Sequence, residues 1–335
     1  PDDPAAPAPA AAAPQPGAAA PQTADQRFHA GVAAARRKAV AFLTDRQTPD
    51  GSWEAVPLVF VGLEGGETAL VTLALLEAGV PPDAPPVKKA VEYLARVPAK
   101  RTYVVGLQTR VLARADPKAH AARIQANADW LVAQGIGLDR GRLKGWSYPG
   151  EGAVAADALA DQSNTHFAVF GLHAAAGAGA KVTDRVWPAV RDLYVRTRRP
   201  GGWTYHPDSA LDSGPTYCMT AAALTGLAIA DQHSRPNAVA RGAFDEGMRA
   251  LLTAPVQAPK SIGYQWLVTA ELGRVVGAAA FKSGDVEVKW YREGAEKLVA
   301  DQRPDGSWVP GRGVDAEPVL GTAFGLYFLG PPGNR

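Results

Sequence analysis

The most constraining feature of this sequence is a seven-residue turn that occurs near both ends. Residues 47–53 read Gln-Thr-Pro-Asp-Gly-Ser-Trp and residues 302–308 read Gln-Arg-Pro-Asp-Gly-Ser-Trp, so six of seven positions match at a separation of 255 residues. Two shorter copies lie between them, Gly-Trp-Ser-Tyr at residues 145–148 and Gly-Trp-Thr-Tyr at residues 202–205. Pro-Asp-Gly favours a tight turn. Its recurrence predicts a chain built from repeats of one supersecondary unit.

Each copy of the turn lies between two segments with helical periodicity. Apolar residues recur at spacings of three and four, as in Leu70, Leu73 and Leu76, which is typical of helices. Two further helix pairs lack the tryptophan turn, residues 87–95 with 103–113 and residues 244–252 with 265–279. The whole pattern predicts six helix hairpins of about 50 residues each, a length typical of solenoids and closed arrays.

Similarity between the first and last turns predicts that the array closes on itself, because an open solenoid tends to end in atypical capping repeats. We therefore predict an all-α fold, an α6–α6 toroid in which six helix hairpins form two concentric helical rings. The second helix of each hairpin is richer in Ala, Gly and Leu and poorer in charge. These second helices are predicted to form the inner ring, and the first helices to face solvent.

The amino-terminal segment has a different composition. Residues 1–26 contain 11 Ala and 7 Pro and no Lys or Arg. Scattered proline prevents a regular helix and little apolar surface is present, so the segment is predicted to be a disordered tether. Residues 27–335 are predicted to form a single toroid domain. Ala/Pro-rich tethers often follow a signal sequence or lipid anchor, which favours an exported protein, periplasmic, secreted or surface-tethered, with a cytoplasmic location as the alternative.

Charge and cysteine content exclude several classes of function. Lys and Arg total 35 against 33 for Asp and Glu, giving a formal charge of +2, so we predict no nucleic-acid partner. Apolar stretches end well before the ~18–20 residues that a spanning helix needs, so we predict no transmembrane segment. Cys218 is the single cysteine, which excludes an internal disulfide and a Cys-rich zinc site. We predict no metal and no cofactor.

The Gln-x-x-Asp-Gly-Ser-Trp turns resemble the QW repeats of squalene-hopene cyclases and the related protein prenyltransferase β subunits, over about residues 30–330. This resemblance implies an α6–α6 barrel with a central apolar cavity. Members of the family cyclise polyprenes or alkylate cysteine with prenyl diphosphates, so the implied ligand is an isoprenoid or another apolar small molecule. The turn residues are predicted to be structural: Gln47, Gly51, Trp53, Trp146, Trp203, Gln302, Gly306 and Trp308.

The resemblance also points to a position for the catalytic acid. Cyclases of this family protonate an alkene with Asp-x-Asp-Asp-Thr at the start of an inner helix, and the best-placed counterpart here is Asp-Gln-Ser-Asn-Thr at residues 161–165. Ser163 and Asn164 replace two carboxylates, and a serine hydroxyl cannot protonate an alkene. Asp161 remains the candidate catalytic residue. The alternative is that Asp161, Ser163 or Asn164 caps the helix.

Zinc chemistry of the prenyltransferase kind is not indicated. Those enzymes hold zinc with Asp, Cys and His. The nearest pattern, from Asp212 to Cys218, lacks their Asp-x-Cys spacing because Gly214 stands two residues after Asp212. Cys218 is better explained as a small core residue of an inner helix.

Parallel inner helices would bring their amino termini to one mouth of the barrel. Carboxylates there suit the helix dipoles and the free N–H groups, and aromatic faces suit a polyprene, a developing carbocation or a sugar ring. His166 and His173 are seven residues apart and can share one helix face. The cavity and rim candidates are Glu67, Tyr103, Ser163, Asn164, His166, His173, Asp212, Tyr217, Tyr264, Trp266 and Glu317.

Three hypotheses for the function follow. The first is a terpene-cyclase/prenyltransferase-like toroid that binds an apolar, isoprenoid-like ligand in its cavity without the acid-catalysed cyclisation. The second is an active class II terpene cyclase that uses Asp161 or another rim acid. The third is an exported protein- or glycan-binding module with a protein partner at the rim. It predicts that side chains fill the centre of the ring.

Overall fold

The computed structural model describes residues 23–54, 64–148, 159–207, 214–253 and 261–333. Residues 1–22 of the predicted tether and the candidate Asp212 lie outside these described residues. The helical body begins at Ala24, three residues before the predicted boundary at residue 27. A capping box explains the earlier start: the Thr23 side chain accepts from the backbone of Gln26, and the Gln26 side chain accepts from the backbone of Thr23.

The described residues are mostly helical, as the sequence predicts. The twelve α-helices are α1 (Ala24–Thr44), α2 (Gly66–Glu77), α3 (Pro85–Arg96), α4 (Thr102–Ala115), α5 (Ala121–Ala133), α6 (Gln162–Gly177), α7 (Val186–Thr197), α8 (Tyr217–His233), α9 (Ala238–Thr253), α10 (Ile262–Val275), α11 (Trp290–Asp301) and α12 (Pro318–Phe328). A 3₁₀-helix at Gly313–Ala316 precedes α12. Within the described ranges, no helix combines the length and apolar character needed to cross a bilayer.

A small antiparallel β-hairpin was not predicted. Strands β1 (Phe281–Ser283) and β2 (Val286–Val288) pair with Phe281 opposite Val288. Helical periodicity predicts a helix up to residue 279, whereas α10 ends at Val275. Gly277 ends it, since its φ of +69° is a left-handed conformation that favours glycine.

The even-numbered helices contact one another in cyclic order. Helix α2 packs on α4, α4 on α6, α6 on α8, α8 on α10, α10 on α12, and α12 on α2. Each odd-numbered helix packs against at least one even-numbered helix. For example, α3 contacts α2 and α4, while α1 contacts α11 and α12. Burial follows the same division: α2 buries every residue except its last, whereas α3 buries only the stripe Val87, Ala90, Val91 and Leu94, as expected for an amphipathic helix.

Glycines allow a close approach of helices α4 and α6. A Cβ at Gly106 would lie 2.4 Å from the carbonyl oxygen of Phe167. A Cβ at Gly171 would lie 2.8 Å from the Cα of Gly106. No side chain fits at either position without movement of the backbone, so these glycines set the distance between the two helices.

The four tryptophan turns share one set of hydrogen bonds. Each indole Nε1–H donates to a carbonyl in the last turn of the preceding outer helix, at 2.7–2.8 Å: Trp53 to Leu43, Trp146 to Leu131, Trp203 to Tyr194 and Trp308 to Leu298. Each tryptophan backbone N–H donates to a threonine hydroxyl of the next inner helix, at 2.9–3.2 Å, namely Thr68, Thr165, Thr220 and Thr322. The turn therefore joins the two helices of a hairpin.

The glutamines of the two full turns join neighbouring hairpins. Gln47 Nε2 donates to the carbonyl oxygens of Gly51, at 2.9 Å, and of Pro86 in α3, at 2.8 Å. Gln302 Nε2 makes the equivalent bonds to Gly306, at 3.0 Å, and to Ala35 in α1, at 2.9 Å. Because Ala35 belongs to the first helix, this bond ties the last turn to the start of the body.

Candidate functional site

The starts of neighbouring inner helices are tied together at one end of the ring. Thr102 Oγ1 donates to the carbonyl of Ser147, which precedes α6, at 2.7 Å. The Ile262 N–H of α10 donates to Asp315 Oδ2, in the 3₁₀-helix before α12, at 2.6 Å. Aromatic contacts join the first two turns of α4, α6 and α10, and we call this end of the helices the mouth.

Asp161 caps helix α6 at the mouth. Its Oδ1 accepts from the Asn164 N–H and from Ser163 Oγ, both at 2.8 Å, and its Oδ2 accepts from Asn164 Nδ2 at 2.9 Å. Ser163 Oγ also lies 3.1 Å from the hydroxyl of Tyr205. Burial, followed by the charge of Asp161, raises the pKa of Tyr205 to about 12. Both oxygens of the buried Asp161 carboxylate therefore serve as hydrogen-bond acceptors in the helix cap.

Three aromatic side chains of the mouth touch in a row. The ring centroids of Tyr103 and Phe167 are 5.3 Å apart, and those of Phe167 and Tyr264 are 6.1 Å apart. They come from α4, α6 and α10, and each is partly exposed. We call these three residues the aromatic wall. It places apolar surface at the mouth of the helical ring.

A cluster of ionisable side chains crosses the ring below the aromatic wall. Arg110 Nη1 of α4 lies 2.5 Å from Glu271 Oε1 of α10, and His166 Nε2 of α6 lies 2.8 Å from Glu271 Oε2. All three side chains are buried. Helix α10 packs mainly on α8 and α12, so these ion pairs join it to two helices that do not neighbour it in the cyclic order of contacts. We call Arg110, His166 and Glu271 the charged bridge.

Within the charged bridge, Glu271 forms a close ion pair with Arg110. Burial alone would raise the pKa of Glu271, but the Arg110 guanidinium and His166 outweigh it and hold the pKa below its usual range. Arg110 also donates from Nη2 to the hydroxyl of Tyr327, at 2.8 Å, and lies 4.3 Å from the ring centroid of Phe170. Glu271 is therefore a carboxylate held ionised in the interior by its partners.

Tyr264 connects the aromatic wall to the charged bridge. Its hydroxyl lies 3.3 Å from His166 Nδ1, on the opposite side of the imidazole from Glu271. Burial raises the pKa of Tyr264 well above its usual value, so the hydroxyl keeps its proton. Tyr264, His166, Glu271 and Arg110 thus form a continuous series of polar contacts that joins α10, α6 and α4.

The remaining predicted site residues lie in different places. The Tyr217 hydroxyl is 3.0 Å from Thr269 Oγ1, and Glu317 caps α12 by accepting from the Leu320 N–H at 2.9 Å. Glu67 is buried in the first turn of α2, and Trp266 is partly exposed on α10.

His173 does not join the mouth cluster that contains His166. Its Nδ1 lies 2.8 Å from His233 Nε2 of α8, and the His233 ring stacks on Trp187 with centroids 4.0 Å apart. His173 follows His166 by seven residues on α6, about two helical turns further from the mouth. The shared helix face therefore does not bring both histidines into one site.

Two central residues, Arg110 and Glu271, were not among the sequence candidates. Each is a single charged residue within an apolar stretch of an inner helix, Arg110 before Val111 and Leu112, and Glu271 between Ala270 and Leu272. An isolated charge on a fully buried helix needs a partner, because an unpaired buried charge is costly. Opposite charges on two inner helices were the signal that could have identified the bridge.

Comparison with protein-family models and with curated proteins gives no match for this chain. The resemblance of the turns to QW repeats rests on the turn residues themselves. Within the described residues, no three His, Cys, Asp or Glu side chains are grouped so that they could hold a metal ion.

Proposed function

We propose that this protein is an α6–α6 toroid related to the QW-repeat family of squalene-hopene cyclases and protein prenyltransferase β subunits. The cyclic order of contacts among the even-numbered helices supports a closed ring. The bond from Gln302 in the last turn to Ala35 in α1 supports closure of the outer layer. Four tryptophan turns with the same two hydrogen bonds support a common repeat.

The proposed function of this toroid is to bind an apolar, isoprenoid-like ligand at its mouth. The observation that carries the proposal is the aromatic wall, in which Tyr103, Phe167 and Tyr264 expose apolar surface inside a ring of helix ends. Covering such surface with an apolar ligand is favourable by roughly 25 cal/mol per Å². The charged bridge limits the depth of this site, because it occupies the centre of the ring.

Binding without acid-catalysed cyclisation suits the geometry at the start of α6. Proton transfer to an alkene needs a strong acid facing the substrate, and Asp161 is engaged by three donors as a helix cap. All three donor groups belong to Ser163 and Asn164, whose side chains carry no proton acidic enough to protonate an alkene. The cyclase hypothesis would require Asp161 to leave this cap during each turnover.

Native mass spectrometry of the purified protein, followed by extraction and identification of retained lipid, tests the proposal. The protein is expected to retain an isoprenoid or to bind added farnesol or squalene. Phe167→Ala should weaken binding at least about tenfold, since buried aromatic anchors dominate binding energy. Phe28→Ala is the matched control, because Phe28 lies on outer helix α1 against Tyr291. An empty protein that rejects both polyprenes would overturn the proposal.

A second candidate function is an exported module that binds a glycan or protein at the rim. The charged bridge favours it, because this hypothesis predicts a ring centre filled by side chains. Tyr148, which is 51% exposed beside the start of α6, supplies a rim aromatic. In this case, Tyr148→Ala would weaken capture on a glycan array while Phe167→Ala would not. Product analysis with squalene distinguishes these two binding functions from an active cyclase. Only a cyclase would convert squalene to a product, and that product would disappear in Asp161→Asn.

A further inference from the structure

Two histidines meet away from the mouth, in a contact that the proposed function does not use. His173 Nδ1 of α6 lies 2.8 Å from Nε2 of His233, the last residue of α8, and the two ring centroids are 5.1 Å apart. Both residues are partly exposed, so the pair lies near the surface. The contact therefore brings two imidazole nitrogens from two helices to one point.

The two imidazoles are uncharged at neutral pH, which is the form that binds a metal ion through a ring nitrogen. Burial first, then His233 and Arg110, lower the pKa of His173 to about 4. Burial also lowers the pKa of His233. Protons therefore compete little for these nitrogens near pH 7.

Aromatic packing holds one of the two rings. The His233 ring stacks on Trp187 of α7, with the centroids 4.0 Å apart and the planes 11° apart. A ring that is already held loses less conformational freedom when it binds a ligand. The stacking also places an indole next to any ion that His233 binds, which provides a spectroscopic reporter.

The distance between the two nitrogens favours a tetragonal metal ion. Adjacent ligands of such an ion lie at about 90°, so bonds of about 2.0 Å separate their nitrogens by about 2.8 Å. The tetrahedral angle of Zn²⁺ would separate them by about 3.3 Å. Tetragonal nitrogen sites suit Cu²⁺ and Ni²⁺, and Cu²⁺ binds most tightly among the first-row divalent ions.

We propose that His173 and His233 form a binding site for Cu²⁺, with water as the remaining ligands. Each ring turns so that its lone pair points at the ion instead of at the other ring. Each then carries its single proton on the other nitrogen, Nε2 of His173 and Nδ1 of His233. With only two protein ligands, the ion is expected to exchange with solution. The site does not depend on the function proposed for the mouth.

Electron paramagnetic resonance of the purified chain with equimolar Cu²⁺ tests this site. The spectrum should show splitting from two imidazole nitrogens in the wild type and from one in His173→Gln. Loss of a ligand should also weaken Cu²⁺ binding at least about tenfold in a titration, since even indirect partners of a metal site are worth that much. His29→Gln is the matched control, because His29 is exposed on α1, and it should change neither result.

Tryptophan fluorescence gives a second readout. Cu²⁺ bound to His233 should quench the stacked Trp187, so Trp187→Phe should lose most of the quenching and still bind Cu²⁺. Equal Cu²⁺ affinity of the wild type and the double variant His173→Gln/His233→Gln would overturn the proposal. If the variants do not fold, the wild-type spectrum decides, and a spectrum without two nitrogen ligands would overturn it.

Discussion

Glu271 has two buried partners, Arg110 and His166, and its removal would leave the Arg110 guanidinium without a counterion in the interior. We predict that Glu271→Gln lowers the free energy of unfolding by about 3–5 kcal/mol, as expected when one member of a buried ion pair is removed. Urea denaturation measures this change.

The matched control for Glu271→Gln is Glu287→Gln. Glu287 pairs with Lys282 at 3.2 Å on the surface, where both side chains are more than 40% exposed. Such a pair contributes only about 0–1 kcal/mol. Similar losses for the two variants would show that the charged bridge is not a buried ionic centre.

His173 is predicted to make stability depend on pH. Burial first, then the neighbouring His233 and Arg110, lower the pKa of His173 from 6.5 to about 4. The folded protein then binds fewer protons at this site than the unfolded chain, so stability falls as the pH drops from about 6.5 to about 4. Urea midpoints at pH 7.5 and pH 5 should differ less in His173→Gln than in the wild type. The exposed His29 supplies the control, His29→Gln. If both variants keep the full difference between the urea midpoints at pH 7.5 and pH 5, His173 is not the source of the pH dependence.

At the residue scale, two of the four residues in the polar series of the candidate site could be predicted from the sequence, and two could not. His166 and Tyr264 were candidates because of their types and positions on inner helices. Arg110 and Glu271 were missed because they matter only as a pair between two different helices. Periodicity along one helix carries no information about which helices meet. His173 shares a helix face with His166 but lies two turns further along the helix. A shared helix face was therefore not enough to predict that the two side chains belong to one site.

Helices α4 and α6 depend on glycine for their close approach. Gly106→Ala would place a Cβ 2.4 Å from the Phe167 carbonyl oxygen. We predict a loss of about 1–3 kcal/mol in the free energy of unfolding, the usual cost of overpacking. Gly242→Ala is the matched control, since a Cβ at this position in α9 meets nothing within 4 Å. It should be neutral or stabilising, because alanine favours a helix over glycine by roughly 0.5–1 kcal/mol. The same sign of change in both variants would contradict this explanation.

At the element scale, each helix within the described residues could be predicted from periodicity and turn residues, while several boundaries could not. The start of α1 depends on a capping box at Thr23 that the Ala/Pro-rich composition obscured. Helix α10 ends four residues before the predicted end at residue 279 because Gly277 is left-handed. The β-hairpin that follows has strands of only three residues each, too short for alternation to be recognised.

The first helix contacts the last two helices, as the proposed closed ring requires. Helix α1 packs on α11 and α12, and Arg36 Nε donates to the Leu329 carbonyl at 2.6 Å. We predict that a circular permutant opened in the exposed turn at Pro82, with residues 333 and 23 joined by a Gly/Ser linker of about 15 residues, folds cooperatively. Circular dichroism during urea titration measures cooperativity.

A truncation tests the same closure from the other direction. A chain that ends at Arg312 lacks α12, which contacts both α2 and α10. In a closed ring this loss should abolish cooperative unfolding, whereas an open solenoid would lose only a terminal repeat. A truncated chain that unfolds as sharply as the full chain, together with a permutant that does not fold, would refute closure.

At the scale of the whole molecule, the matching turns near both ends were the feature that predicted a closed array. The contacts of Gln302 with α1 give that match a physical role, since the last turn packs on the first outer helix as the first turn packs on α3. Whether side chains fill the middle of the array was not predictable from the sequence, because Ala and Gly on the predicted inner helices suit both close packing and open space.

Photo-crosslinking can show whether the aromatic wall holds an apolar isoprenoid-like ligand, as we propose. A farnesol analogue with a diazirine at the chain end is bound, irradiated and mapped by peptide mass spectrometry. We predict that the analogue labels the mouth peptides that contain Tyr103, Phe167 or Tyr264. Unlabelled farnesol should compete with the analogue and reduce this labelling. Labels confined to outer helices such as α3 and α7, or no specific label at saturating analogue, would contradict it.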